Sequence, residues 1–173
     1  MGGESQLAGG PDRLDRAVFA LKVIWFGLFA GAVVIAVMMA AVVMSGGGPR
    51  ADLGEFGYAV LTVVPLGLFA AYFVVPMLTP RNPVGGPGFE GWDATTPDEP
   101  YHWFPLYQVQ FFLRAGLLEG PAILCAVVFL ITAEWAILGG SLVMIAALAA
   151  AVPTRSKVEA FADAARQRRA NAG

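Results

Sequence analysis

The sequence predicts an all-α integral membrane protein with four transmembrane helices, arranged as an up-and-down bundle or as two hairpins, and a C-terminal amphipathic helix. Hydrophobic residues make up 57% of the 173 residues and charged residues only 14%, which is too apolar for a soluble domain. A transmembrane helix needs about 20 apolar residues, with a range of roughly 17 to 25. Four apolar runs reach this length, at residues 17–44, 57–79, 106–132 and 135–152.

The polar residues divide the chain into three parts. Residues 1–16 are expected to form a flexible cytoplasmic tail, residues 17–153 one four-helix membrane domain, and residues 154–173 a basic cytoplasmic tail. Four apolar side chains of the basic tail share one side of a helix, which is expected to lie along the membrane surface near anionic lipid. These side chains are Val158, Phe161, Ala162 and Ala165.

The first two helices differ in the residues that interrupt them. The run 17–44 is much longer than a signal-peptide core of roughly 7 to 15 residues, so we expect it to be retained as a helix. Its Gly27 and Gly31 make one small-xxx-small step, a spacing that lets membrane helices approach closely. The second run contains Pro65 and Pro76. Because each proline lacks an N–H and frees a carbonyl, this helix is expected to kink or to pack where a neighbour satisfies the gap.

The long loop, residues 80–105, is rich in proline and glycine, so regular structure is not expected there. It holds the single histidine, His102, together with scattered acidic residues. A metal or haem site needs several converging ligands, so we expect neither a metal nor another cofactor. The acidic residues are Glu90, Asp93, Asp98 and Glu99, and the aromatic residues expected to anchor the loop at the headgroups are Trp92, Tyr101, Trp103 and Tyr107.

The positive charges predict the orientation in the membrane. Under the positive-inside rule, segments rich in Lys and Arg face the cytoplasm. Both termini are therefore placed in the cytoplasm of a cell membrane that the chain crosses several times, and four spans satisfy that parity. The short connection 132–134 makes the third and fourth helices an antiparallel hairpin. The cations assigned to the cytoplasm are Arg13, Arg16, Arg81, Arg155, Lys157, Arg166, Arg168 and Arg169, against Arg50 on the other side.

Composition also limits the class of function. The net charge of −2 argues against a nucleic-acid partner, which would require a basic face to neutralise phosphates. The sequence has no Ser/His/Asp or Cys/His set and no phosphate-binding glycine loop, so we expect that the protein is not an enzyme. The single Cys125 lies inside an apolar run and is interpreted as a small hydrophobic residue.

The strongest functional candidate is Glu119, at the midpoint of the run 106–132. A charged group at that depth costs roughly 2.5 to 3.5 kcal/mol on insertion scales, so it usually faces protein or a water-filled cavity. Gly116 and Gly120 form a GxxxG step beside it. The acid is therefore expected to point into a close helix contact. The residues that share its helix face are Phe112, Ala115, Gly116, Ala122, Ile123 and Ala126.

Pro121 and Arg114 complete this candidate site. Pro121 cannot donate to the carbonyl of Leu117, and a protonated Glu119 could reach that freed carbonyl. Arg114 lies about 140° around the helix from Glu119 and about 7.5 Å along it, which makes pairing within the helix poor. Arg114 is left to meet another helix, another subunit or, by snorkelling, the headgroups. Its own helix face contains Tyr107, Gln110, Leu118, Pro121 and Cys125.

Residues 111–123, FFLRAGLLEGPAI, resemble the carboxylate-bearing outer helix of subunit c of the F-type ATP synthase, the proteolipid of the rotor ring. In that family a mid-membrane Asp or Glu carries the translocated proton or sodium ion, so the resemblance implies that Glu119 is an ion carrier. The family also has an Arg-polar-Pro turn in its cytoplasmic loop, to which Arg81-Asn82-Pro83 is similar. The resemblance covers about 25 residues, which is one helix of the chain.

Two hypotheses follow. In the first, the chain is a non-enzymatic subunit or assembly factor of a membrane complex, and Arg114 and Glu119 fix contacts with partner helices. In the second, it is a c-subunit-like protein that translocates protons or other ions, with Glu119 as the carrier carboxylate. Both expect the lipid bilayer as surroundings and either other membrane helices or further copies of this chain as partners.

Overall fold

The computed structural model describes residues 10–46, 55–78 and 100–170, and these residues are helical apart from short connections. The loop residues 79–99, which include the Arg81-Asn82-Pro83 turn and the loop acids, lie outside the described residues, as do residues 1–9 of the N-terminal tail. The helices are α1 (Gly10–Met44), α2 (residues 55–78), α3 (Phe104–Thr132, after a 3₁₀ turn at Pro100–Trp103), α4 (Trp135–Ala150) and α5 (Arg155–Ala170).

Three helical segments are long and apolar enough to cross a membrane, namely Arg13–Met44, Val60–Met77 and Phe104–Thr132. The fourth predicted span is shorter than expected. The 16 residues of α4 measure roughly 24 Å, less than the hydrocarbon thickness of about 30 Å. A bend of 78° separates α4 from α5, so a fourth span requires that both helices be counted as one broken span. The all-helical fold with several apolar helices is therefore confirmed.

The predicted hairpin between α3 and α4 is present, with Ala133 and Glu134 as its connection. Ala133 adopts a left-handed backbone with φ of 57°, and its N–H donates to the carbonyl of Phe129 at 2.7 Å. This left-handed residue ends α3 and reverses the chain. A second contact joins the two helices further along, because Ser141 Oγ donates to the carbonyl of Ala122 at 2.8 Å.

Both prolines of α2 follow a departure from α-helical geometry. A 3₁₀ turn at Val60–Thr62 precedes Pro65, and a π turn at Ala70–Val74 precedes Pro76. A proline in a helix has no N–H for the carbonyl one turn before it, and its ring also crowds that carbonyl. The helix therefore changes its hydrogen-bond register ahead of each proline while continuing along the same run.

The core of the bundle lies on one side of α3, against α1, α2 and α4. Leu118 and Phe129 are completely buried there. Gly140 of α4 permits close approach to α2 and α3, because an added Cβ would lie 3.0 Å from Leu61 and 3.4 Å from the Cys125 sulfur. Outside this core, large apolar side chains are exposed on α1, α2, α3 and α4, as expected for surfaces in contact with lipid.

The C-terminal helix α5 has the predicted apolar side, but protein covers much of it. Val158 and Ala162 are completely buried, and Ala162 packs with Trp103 and Leu106 near the beginning of α3. The Phe161 ring meets Tyr107 edge-on, with centroids 5.9 Å apart. The apolar residues of α5 thus pack over the first turns of α3, and its position at the membrane surface stays a prediction. Trp103 is also buried.

Candidate functional site

Glu119 lies near the middle of α3, roughly 22 Å from its beginning and 20 Å from its end. Its side chain is partly exposed. Among the residues that the structure describes, none donates a hydrogen bond to its carboxyl group or forms an ion pair with it. The described helices thus place a carboxyl group at mid-helix and provide no partner for it.

The glycines beside Glu119 are also uncovered. Gly116 and Gly120 are exposed, and a Cβ added to either would meet nothing within 4 Å. The close helix contact expected at this GxxxG step is not made by the described part of the chain. The reason is that α1, α2 and α4 pack against only part of the predicted Glu119 face, where Ala115, Ala122 and Ala126 are buried, and leave the rest exposed. We call Phe112, Gly116, Glu119, Gly120 and Ile123 the open face of α3.

Arg114 points away from this open face and towards α2. Its Nε donates to the carbonyl of Ala71 at 3.1 Å, and its guanidinium lies 5.9 Å from the centre of the Tyr72 ring. The two charged side chains of α3 are therefore separated, as their spacing predicts. Of the three destinations left open for Arg114, the structure shows a neighbouring helix of the same chain.

The Ala71 carbonyl is available to Arg114 because of the π turn and Pro76. In the π register, the N–H of Val75 donates to Ala70, five residues earlier. The corresponding donor for Ala71 would be residue 76, and a proline has no N–H. Arg114 therefore supplies a donor from α3 where the backbone of α2 has none to offer. Pro76 and Arg114 are thus linked through the Ala71 carbonyl, although 38 residues separate them in the sequence.

Pro121 also acts towards α2 rather than towards Glu119. The Leu117 carbonyl, which cannot receive a hydrogen bond from Pro121, faces Gly67. A Cβ added at Gly67 would lie 3.0 Å from the Leu117 oxygen and 3.3 Å from Pro121 Cγ. Within the described helices, no hydrogen bond joins Glu119 to this carbonyl. The expected interaction is replaced by close packing between α3 and α2.

A cavity of about 560 Å³ opens where α2 and α4 end and where α3 begins. Four residues of the predicted Arg114 face line it, namely Tyr107, Gln110, Arg114 and Leu118. Lys157 of α5 also lines this cavity, and sequence reasoning missed it. Only the bend between α4 and α5 brings Lys157 back towards α3, and the sequence carries no pattern that gives this bend.

Lys157 caps the end of α4 beside this cavity. Its Nζ donates to the carbonyls of Ala150 and Val152, each at 2.9 Å. Burial lowers the pKa of Lys157 from its usual value, and the nearby charge of Arg114 lowers it further. The positive charge of Arg114 therefore lies close enough to Lys157 to disfavour the charged form of the lysine.

Metal binding has no basis in the part of the chain that is described. The ranges 10–46, 55–78 and 100–170 hold no group of three or more His, Cys, Asp or Glu residues arranged to bind a metal ion. Cys125 is a buried free thiol, packed near Gly140. The side chain of His102 lies outside the described residues.

The resemblance of residues 111–123 to subunit c concerns Glu119 and its small neighbours. In the structure these residues form the exposed middle of α3, with Arg114 directed to the opposite side. Comparison with family models, curated proteins and solved structures gives no match for this chain.

Proposed function

We propose that the chain is a non-enzymatic, multi-pass subunit or assembly factor of a membrane complex, and that a helix of another membrane protein binds the open face of α3. The observation that carries this proposal is the carboxyl group of Glu119, which lies mid-helix without a partner and beside two uncovered glycines. A polar group at that depth is expected to face protein or a water-filled cavity.

The proposal includes a topology of four spans with both termini in the cytoplasm of the cell membrane. In this topology α1, α2 and α3 cross the bilayer, α4 and the bend before α5 form a broken fourth crossing, and the rest of α5 lies at the cytoplasmic surface. The cations near the beginning of α1 and on α5 support this orientation by the positive-inside rule. They are Arg13, Arg16, Arg155, Lys157 and Arg166.

The energetic reason for a partner is a difference in surroundings. Facing lipid, a charged Glu119 would cost roughly 2.5 to 3.5 kcal/mol on insertion scales. A hydrogen bond from a neighbouring helix contributes about 0.6 to 2 kcal/mol, and uncovered glycines let a second backbone approach closely enough to make it. Gly116 and Gly120 provide that approach on both sides of Glu119 along the helix.

A different protein suits the open face better than a second copy of this chain. The described spans have four cations, Arg13, Arg16, Lys22 and Arg114. The first three lie within the first ten residues of their span, and Arg114 is engaged with α2. A second copy would therefore bring no cation to the depth of Glu119. The partner we propose presents a hydrogen-bond donor or a cation at mid-membrane depth.

The test is a set of three glycine substitutions in the tagged full-length chain, expressed at native level in its own membranes. Gly116→Leu and Gly120→Leu fill the proposed contact, whereas Gly139→Leu fills equally open space on α4. We expect the first two to convert a detergent-solubilised complex into the free chain on native gels. Gly139→Leu should leave the complex intact. A complex of unchanged size in all three variants would contradict the proposal.

A second candidate function is ion translocation with Glu119 as carrier, as the resemblance to subunit c implies. It is supported by the partial exposure of Glu119 between small residues, where an ion could reach the carboxyl group. Dicyclohexylcarbodiimide modifies carboxyl groups that are protonated within membranes, so a carrier Glu119 should react in a pH-dependent manner. Absence of this modification removes the ion-carrier function. Glu119→Gln separates the two functions further, because it abolishes transport but keeps a hydrogen-bonding group for assembly.

A further inference from the structure

The cavity at the junction of α2, α3, α4 and α5 has the size of a ligand site. Its volume of about 560 Å³ falls within the range of roughly 300 to 1,000 Å³ that is common for small-molecule pockets. Polar groups enter it from three helices, with Tyr72 on α2, Gln110 and Arg114 on α3, and Lys157 on α5. These groups converge although they are far apart in the sequence.

Two buried polar side chains of this cavity have no hydrogen-bond partner among the described residues. Gln110 is only 6% exposed and Tyr107 only 8%. The amide of Gln110 and the hydroxyl of Tyr107 form no hydrogen bond with another described residue. The amide of Gln110 and the hydroxyl of Tyr107 keep some accessible surface. Both side chains line the cavity, so a ligand bound there can provide hydrogen-bond partners.

The charge of the cavity is positive. Arg114 and Lys157 both line it, and none of its described lining residues is acidic. Two acids on α1 and α5, Asp15 and Glu159, are already paired with Arg155. Arg114 uses one of its five N–H donors on Ala71, and Lys157 uses two of its three on α4. Cationic donors therefore remain for an anion.

The apolar walls of the cavity and its position at the end of the bundle favour an amphipathic anion with a hydrocarbon chain. Phe111, Leu118 and Phe161 supply apolar surface next to the charged groups. The cavity lies at the end of the bundle, where α5 turns 78° away from α4. Tyrosines with one apolar and one polar end, such as Tyr72 and Tyr107, are typical of the level of the headgroups. Basic residues near the surface attract anionic lipid by about 1 kcal/mol each.

We propose that this cavity binds a phosphate-bearing anion, and that its source is the headgroup of an anionic membrane lipid. Arg114 and Lys157 bind the phosphate oxygens, Gln110 and Tyr107 donate to the headgroup, and an acyl chain lies against the apolar wall. This site is separate from the open face of α3 and does not depend on a protein partner.

The test uses the delipidated full-length chain and native mass spectrometry with added lipids. Phosphatidylglycerol should bind at least about fivefold more tightly than phosphatidylcholine, which corresponds to about 1 kcal/mol for a net anionic charge. Lys157→Gln and Gln110→Leu should each weaken phosphatidylglycerol binding by about fivefold or more. Lys22→Gln removes an exposed lysine of α1 and should leave binding unchanged.

Two further measurements can contradict the proposal. Lys157→Arg retains the charge and should retain binding, so a loss of binding with it would indicate a purely structural role for Lys157. Glycerol phosphate and inorganic phosphate should compete weakly. If either competes as well as the lipid, the site binds a soluble phosphate and the lipid assignment is overturned. Equal binding of both lipids, or unchanged binding in Lys157→Gln and Gln110→Leu, would overturn the whole proposal.

Discussion

The two sides of α3 carry similar residues but differ in whether other described helices contact them. On the side that faces α2 and α4, the charged Arg114 has a hydrogen-bond partner on α2, and the glycines opposite α3, Gly67 and Gly140, sit against it with almost no space for a Cβ. On the open face, the charged Glu119 has no partner in the described chain and Gly116 has open space around it. The described helices cover the first side of α3 and leave the open face uncovered.

This difference shows that a small residue in a membrane helix indicates a contact without saying which molecule provides it. Glycines support close helix packing wherever another backbone is available. For Gly67 and Gly140 that backbone belongs to the same chain, because the helix pairs are fixed by the core. For Gly116 and Gly120 no such backbone lies nearby in the described residues, and we propose that a partner helix supplies it. The following predictions test this distinction, beginning with the largest expected effect.

Replacing glycine by alanine should separate the two sides directly. In Gly67→Ala the new Cβ would lie 3.0 Å from the backbone oxygen of Leu117, which cannot move away easily, so we expect a loss of about 1 to 3 kcal/mol in stability. Gly116→Ala should be neutral or stabilising by up to about 1 kcal/mol, because alanine is the better helix former and the space is open. Unfolding of both variants in one detergent measures the difference. Equal destabilisation would mean that the open face is covered within the chain.

The contact between Arg114 and Ala71 should be coupled energetically to Pro76. Arg114→Met removes the donor to Ala71 and should destabilise the protein by roughly 1.5 to 3 kcal/mol, as for a hydrogen bond from a charged group. In a Pro76→Ala background the backbone regains an N–H, so the same substitution should cost about 1 kcal/mol less. A double-mutant cycle on thermal unfolding gives this coupling. Strict additivity would show that the proline does not create the need for Arg114.

Lipid binding in the cavity should weaken at alkaline pH. Burial and the charge of Arg114 lower the pKa of Lys157, so its ammonium is lost at a pH below its usual value of 10.5. A bound anion stabilises the charged form, and affinity is therefore constant near neutrality and falls as pH rises through that lowered pKa. The expected fall is about fivefold in phosphatidylglycerol affinity. Titration of binding between neutral pH and pH 10 checks this.

The matched control is Lys157→Arg, in which the cation does not titrate and the cavity tyrosines Tyr72 and Tyr107 are unchanged. Affinity in this variant should stay level over the same pH range. If it falls as steeply as in the parent chain, the pH dependence does not come from Lys157. The role assigned to Lys157 would then be wrong.

The hydrogen bond between Ser141 and Ala122 should give the smallest effect. Ser141→Ala removes a buried side-chain donor between α4 and α3, and such bonds in membrane proteins average about 0.6 kcal/mol. Thermal unfolding in detergent should show a small decrease in stability with assembly unchanged. A large loss of assembly in this variant would indicate that the closed side also contributes to partner binding.

The helical runs could be predicted from the sequence because each is a long, continuous apolar stretch. It also placed Arg114 and Glu119 on different sides of α3, since that follows from helix geometry alone. The side of α3 that carries the core could not be predicted, because both sides are rich in small residues: Ala115 and Ala122 on one, Gly116 and Gly120 on the other. Only the positions of the other helices decide between them.

The features that were missed depend on contacts between distant residues. The end of α4 at Ala150 and the 78° bend before α5 shorten the fourth span, and they also bring Lys157 to Arg114. No local pattern states that a lysine of a C-terminal helix will share a cavity with an arginine of α3. Similarly, Pro76 and Arg114 were each noted, but their connection through the Ala71 carbonyl required the structure.

The most direct test of the uncovered face is the lipid accessibility of a spin label at position 116. Cys125 is the only cysteine, so Cys125→Ala gives a background in which Gly116→Cys or Gly139→Cys is labelled alone. In nanodiscs that contain the isolated chain, both labels should be accessible to oxygen dissolved in the lipid. In the native membrane, the label at 116 should lose this accessibility while the label at 139 keeps it. A label at 116 that stays as accessible in the native membrane as in nanodiscs would contradict the proposed partner helix.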